Sequence, residues 1–382
     1  MTVKARLAYR QFIDLCRGPE GQFQMTPHTS SSAYALCFAI FGYQLLSESK
    51  EIDVNREKWN GLLRQGLFQM HEKRGGMALL SQDKQYLQLL VFTLSALSIL
   101  GTLKHDPLPD VIIPLLPADL DLAMRRAGVL DGLPRSGNYA MFMGILLLHA
   151  RDYLGLNTHS EIDLWLRLHI GAMNDFGFWG SSRTMSHLQF QNGYHQYELL
   201  KYMQANAVPW DRAANAVVSL ADAKGHFAPH PGGTGCYDYD AVFVITTTQE
   251  STRRHRELLA RTAQSILSEQ NIDGGFCESL CIRPRSIRNI SKSISHSLAV
   301  SGQARIERIR AALTLLRPKY DRIHTHWSEE SYDWNSSDLW NSWFRMLTLA
   351  RIETASDPAL STRWGFINYP GIGYHHSLRA EG

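Results

Sequence analysis

The sequence predicts an all-α protein, an α/α toroid of six to seven helical hairpins, and three observations carry that prediction. A glycine-aromatic turn returns about every fifty residues, too long a period for the common solenoid units. Each turn leads through a polar stretch into a helix of small and apolar residues. No two-residue alternation of useful length is present, so no substantial sheet is expected.

The turns are Gly21-Gln22-Phe23, Gly75-Gly76, Asp131-Gly132, Phe176 to Gly180, Gly225-His226-Phe227, Asp273 to Phe276, and a degenerate copy around Trp327 to Trp334. The helices that follow are expected to open near Ser31, Lys84, Asn138, Asn192, Asp238, Ser295 and Asp338, at steps of 43 to 57 residues. That is the length of two helices and two connections. Ala33 to Ile40 and Leu87 to Leu94 are apolar nearly all round, as befits helices enclosed on both sides. Tyr139 to Leu148, Tyr194 to Met203, Ala241 to Thr246, Leu298 to Gln303 and Leu339 to Ala350 repeat the pattern. The segments between them, such as Thr252 to Leu259 and Arg305 to Arg310, are charged and form the expected outer layer. In such a ring the N-termini of the inner helices gather at one mouth, where unpaired N–H groups favour anions.

A repeat running through most of 382 residues leaves no room for a domain boundary, so residues 1–382 read as one domain, with 351–382 as an extension packing on the ring. A formal charge of +3 and no long basic tract argue against nucleic acid as a partner. Five sparse cysteines suggest reduced thiols, and the N-terminal residues lack the apolar stretch of a signal peptide, so a cytoplasmic location is expected. The most apolar window, Leu87 to Leu103, is interrupted by Thr93, Ser95, Ser98 and Gly101 and falls short of a membrane span.

Gln270 to Phe276 resembles the Q…DGG(W/F) turn shared by protein prenyltransferase β subunits and terpenoid cyclases, squalene-hopene cyclase among them. Gly235-Cys236-Tyr237 resembles the segment bearing the zinc-binding cysteine of the prenyltransferases, and Ser291 to His296 the one bearing their zinc-binding histidine. The position of their zinc-binding aspartate holds Thr234, so the three-ligand zinc set is incomplete and no metal site is assigned. No cofactor is firmly implied, and Mg enters only if the substrate is a diphosphate. Asp238-Tyr239-Asp240-Ala241 resembles a shortened DxDD motif of the class II terpene cyclases. That resemblance implies Asp240 as proton donor, Asp238 as its helper, and an isomerase or lyase acting on a prenyl diphosphate or polyene. One physical objection stands against it: a carboxylate at a helix N-terminus is stabilised in its charged form, and the same Asp238 would serve as a helix cap.

The densest polar run, Ser186 to Glu198, holds His187, Gln191, Asn192, Tyr194, His195 and Glu198. His195 and Glu198 stand three apart on one helix face, where the carboxylate would raise the imidazole's proton affinity and give an acid/base pair. These amides and hydroxyls suit a polyhydroxylated ligand, which opens a second reading: a polysaccharide lyase, uronate epimerase or glycosidase acting on an oligosaccharide. Tyr237, Trp334 and Trp340 could shield a cation or stack on a sugar. His296 and Arg285 at the mouth could hold a diphosphate or a uronate. A non-catalytic binding scaffold is the third reading, since fold does not fix function. The oligomeric state is not readable from the sequence.

Overall fold

A computed structural model of the chain describes residues 2–74, 83–134, 136–180, 183–248, 251–318, 322–323 and 330–365. The expected turn at Gly75-Gly76, Trp327 and the end of the chain from 366 onward lie outside these residues.

Among the described residues the inner wall consists of six helices: α2 (Ala33–Leu45), α4 (Lys84–Ile99), α6 (Ser136–Asp152), α8 (His187–Tyr202), α10 (Gly235–Thr247) and α14 (Leu339–Ser356). Each packs on the next in that order, and α14 returns to α2, so the ring closes. Outside it stand α1 (Val3–Leu15), α3 (Ser49–Lys73), α5 (Leu120–Ala127), α7 (His159–Gly171), α9 (Trp210–Val218) and α11 (Arg253–Ser268). The layers follow directly from residue type. Every residue of α4 from Tyr86 to Ser98 is buried, whereas charged α11 buries one stripe that includes Leu258, Thr262 and Ile266.

The turns behind the fifty-residue period share one hydrogen-bond pattern. The N–H of Gly18, Asn174, Asp222 and Asn271 donates to the carbonyl four residues on, and each carbonyl accepts from the N–H three residues on. That fourth position is Gly21, Gly177, Gly225 or Gly274, all with positive φ. At Gly274 a Cβ would also fall 2.1 Å from the Ala8 carbonyl oxygen, so the turn needs glycine for two reasons. Phe23, Trp179, Phe227 and Phe276 follow the turns and are buried. Most inner helices then open on a side-chain cap: Ser32, Asp83, Ser186 and Asp338 accept from the N–H three residues on.

The seam where the ring closes is aromatic. Phe38 of α2 lies 5.2 Å from Phe92 of α4 and 5.0 Å from Trp340 of α14, centroid to centroid. Each fully buried aromatic contributes about 1.5–3 kcal/mol, against about 1 kcal/mol net for a neutral hydrogen bond, so packing dominates here. Polar clasps fix the register: Leu339 N donates to Met25 O, Gln270 Nε2 to Ala5 O, and Thr2 Oγ1 to Glu353 Oε1.

The structure corrects the sequence reading in several places. The helix expected to open near Ser295 is α12 (Ile287–Leu298), which ends there and is no part of the inner wall. It pairs with α13 (Gly302–Leu315) as a hairpin standing outside the ring, so the ring has six inner helices among the described residues. Its serine and isoleucine texture imitates an inner helix, but its isoleucines face outward. Helices α8 and α10 begin at His187 and Gly235, earlier than the expected Asn192 and Asp238. The last inner helix runs through Ser356, so the extension begins at Asp357; its Trp364 donates to Glu353 and its Gly365 N–H to Leu45 O. A two-residue antiparallel pair, Arg322–Ile323 with Tyr332–Asp333, is the one ladder among the described residues.

Candidate functional site

Helix α10 buries two acids, two residues apart, in different surroundings. Asp238 lies in a buried charge network. Its Oδ1 accepts from Phe227 N at 2.9 Å, and its Oδ2 meets His226 Nδ1 at 2.8 Å and Arg345 Nη1 at 3.1 Å. Glu269, at the end of α11, completes the square with His226 Nε2 at 3.1 Å and Arg345 Nη1 at 3.2 Å. Arg345 Nη2 also donates to Gly232 O. Burial would push the His226 imidazole down, but Asp238 and then Glu269 outweigh it and hold its pKa near 10. Two cations and two anions thus alternate, tying a repeat turn, α10, α11 and α14 into one unit.

Asp240, two residues further along the helix, is entirely buried, and neither of its carboxyl oxygens has a hydrogen-bond partner. Desolvation, followed by the nearby Glu198, drives its pKa well above the usual carboxylate range. This reverses the helix-terminus objection. The N-terminal field fades within the first turn, whereas Asp240 sits in the second turn of a helix starting at Gly235, where desolvation governs.

Helix α8 supplies the facing wall. His195 Nδ1 stands 4.0 Å from Asp240 Oδ1, too far for a hydrogen bond, and makes no other. Burial and then the charge of Lys84, at the opening of α4, push this imidazole well below its ordinary value. The expected lift of His195 by Glu198 is therefore corrected: the histidine is held neutral, and the strong influence of Glu198 falls on Asp240. Tyr194 and Tyr237 pack edge to face at 5.9 Å, and burial, Cys236 and Asp240 raise both phenols well above their usual range. Tyr239 is raised by burial and then by Glu198. Arg351 reaches the electrostatic field of Glu198 from α14, its guanidinium lying 4.4 Å over the Phe243 ring.

The remaining candidates lie elsewhere. Gln191 is exposed, and Asn192 Nδ2 donates to Gly132 O. His187 Nδ1 donates to Phe227 O and its Nε2 accepts from Arg308 of α13; burial and then that arginine lower its pKa to about 3. His296 pairs with Asp222 at 3.6 Å, at the base of the outer hairpin. Arg285 is exposed and donates to Leu316 O, and Trp334 packs beneath Arg283. Trp340 belongs to the aromatic seam, 4.8 Å from Phe344. The structure therefore gathers Asp240, His195, Glu198, Tyr194 and Tyr237 and leaves the others in the scaffold or on the hairpin. Sequence reasoning missed His226, Glu269, Arg345, Tyr239 and Arg351. Arg345, an arginine inside the apolar run Leu339 to Ala350, was the visible signal.

Among the described residues no three His, Cys, Asp or Glu side chains converge as a metal site. Cys236 touches Thr234 Oγ1 at 3.3 Å, and burial pushes its thiol up to about 12, unlike a metal-poised thiolate. No helix among the described residues is long and apolar enough to cross a membrane.

A closed ring of inner helices backed by outer helices defines an α/α toroid. The family described as the prenyltransferase alpha-alpha toroid domain matches residues 5–113 and 135–283, more than half of the chain, and the protein belongs to it. Two solved structures are similar in outline. One is the apo form of the type II terpene cyclase MstE from Scytonema, 14% identical, covering 92% of this chain and 97% of that chain, with a TM-score of 0.47. The other is a variant of the same cyclase in complex with geranylgeranyl dihydroxybenzoate as substrate, 11% identical with the same coverage and a TM-score of 0.45. No curated protein matches the chain.

Proposed function

We propose that the protein is an acid-initiated isoprenoid cyclase in which Asp240 is the proton donor. One observation carries the proposal: a wholly buried carboxyl group without a hydrogen-bond partner, whose pKa is raised well above the usual carboxylate range, which favours its protonated form. Two carboxyls so close cannot both ionise cheaply. Glu198 adds to the desolvation that raises Asp240, and Arg351 of α14 lies within the electrostatic reach of Glu198.

In the proposed reaction the Asp240 proton passes to one carbon of a terminal double bond. The π pair becomes the new C–H bond, the neighbouring carbon becomes cationic, and Asp240 is left as a carboxylate. Attack by the next double bond moves the cation along the chain and closes a ring. Loss of a proton from the last cation to water ends the sequence, and Asp240 is reprotonated before the next turnover. In this reading the rings of Tyr194 and Tyr237, packed on each other beside Asp240, would shield the cation, and His195, whose pKa is lowered, would add no competing charge. Asp238 is a positioning residue, since its bonds to Phe227, His226 and Arg345 fix the helix that presents Asp240. Proton donation to an alkene needs no metal. If the substrate carries a diphosphate, Mg would accompany it to the mouth, where Lys73 and Arg74 border a cavity of about 660 Å³. The amides behind the oligosaccharide reading are committed elsewhere or exposed, so no second reading is advanced.

The test is incubation with a panel of linear polyenes, their epoxides and prenyl diphosphates in D2O. The expected product is a cyclic isomer or hydrate carrying deuterium at the initiating carbon, absent with Asp240→Asn. Failure to convert any member of the panel, or turnover that survives Asp240→Asn, counts decisively against the proposal.

A further inference from the structure

We infer that the α12–α13 hairpin is a docking element for an anionic lipid surface, an inference independent of the chemistry at Asp240. On α12, Ile287, Ile290, Ile294 and Leu298 recur at helical spacing and form a single stripe. That stripe points outward, with Ile287 87% and Leu298 63% exposed. On α13, Ile306, Ile309 and Leu313 form a second outward stripe. Outer helix α11 does the opposite, burying Leu258 and Ile266 and exposing its charges. A soluble helix gains nothing from an exposed stripe of isoleucines, and a contiguous apolar patch marks an interaction surface.

The charge around the stripes identifies the partner. Residues 283–317 hold eight arginines and lysines and one acid, Glu307. The hairpin therefore carries +7 while the whole chain carries +3, which leaves the rest of the molecule at −4. Arg308 is buried and donates to backbone carbonyls, but Arg288, Arg305, Arg310 and Arg317 are exposed beside the stripes. Apolar stripes flanked by basic residues, on helices too short to span a bilayer, are the pattern of an element lying in the interface of an anionic membrane. A cleft of about 370 Å³ between the helices, lined by Ile290, Ile294, Leu298, Ile309 and Leu313, offers room for an acyl chain. A second copy of this chain would bring a +7 hairpin against another +7 hairpin, which like-charge repulsion opposes.

The experiment is co-sedimentation of the full chain with phosphatidylcholine vesicles, with and without phosphatidylglycerol, at low and high salt, alongside sedimentation velocity of the free protein. The chain is expected to pellet with the anionic vesicles at low salt, roughly tenfold or more in excess of neutral ones, and to release as salt rises. Ile294→Glu with Leu313→Glu is expected to abolish pelleting at unchanged helicity, because both side chains are exposed, while Ile294→Leu with Leu313→Ile retains it. A protein that stays in the supernatant, or pelleting that survives the glutamates, overturns the inference. If the unbound protein is also a dimer that the glutamates make monomeric, the face belongs to a second copy.

Discussion

Asp238 and Asp240 stand two residues apart on one helix, equally hidden from water, and their surroundings give them opposite chemistry. Asp238 accepts from a backbone N–H and pairs with an imidazole and a guanidinium. Asp240 has neither donor nor cation against it and faces a second carboxyl across the interface with α8. Burial alone therefore does not decide what a carboxyl does; the donors brought by other elements decide it. A single helix can hold two acids in unlike surroundings because each faces a different neighbour in the ring.

Swapping the amide for the acid tests the comparison most severely. Asp240→Asn is expected to lower turnover about 10²–10⁴-fold, the usual worth of a general acid, while thermal stability holds or rises because an unpaired ionisable group has been removed. Product yield and a melting curve on one preparation check both halves. Asp238→Ala is expected to do the reverse, costing about 3–5 kcal/mol of stability by leaving His226 and Arg345 charged and short of a partner. Urea denaturation measures that loss. Glu198→Gln removes the charge that helps raise Asp240, so the alkaline limb of the activity profile should move to lower pH. A limb that stays in place would mean that desolvation alone sets the acid.

The smallest effect concerns His226. Its folded pKa near 10 lies above the ordinary 6.5, so its contribution to stability is complete below about 6.5 and is lost as pH rises through 10. Unfolding free energies between neutral and alkaline pH should decline in the wild type and less steeply in His226→Gln.

The ring was legible because its period is written in turn glycines and in helices without a polar face, both local features. The outer hairpin was not, because Ser291 to Leu298 has the composition of an inner helix and only tertiary contacts reveal which way its isoleucines face. Asp240 was legible as a candidate through its spacing from Asp238, but the direction of its proton affinity was not. An acid near a helix start reads as a cap, and what raises Asp240 is its burial in the assembled ring together with Glu198 of α8, some forty residues earlier in the chain. The partners of Asp238 were hidden for the same reason, since His226, Glu269 and Arg345 converge from three separate segments.

The seam between α14 and α2 has a consequence for how the chain reaches this shape. Leu339 must find Met25, and Thr2 must find Glu353, so the contacts that close the circle join the two ends of the sequence. Contacts of such wide separation are slow to form, because the intervening chain must be ordered first. During synthesis the earlier hairpins would form an open arc with the apolar sides of α2 and α4 uncovered until α14 emerges. Circularly permuted chains that move this junction between α6 and α8 should reach the same ring with altered folding rates.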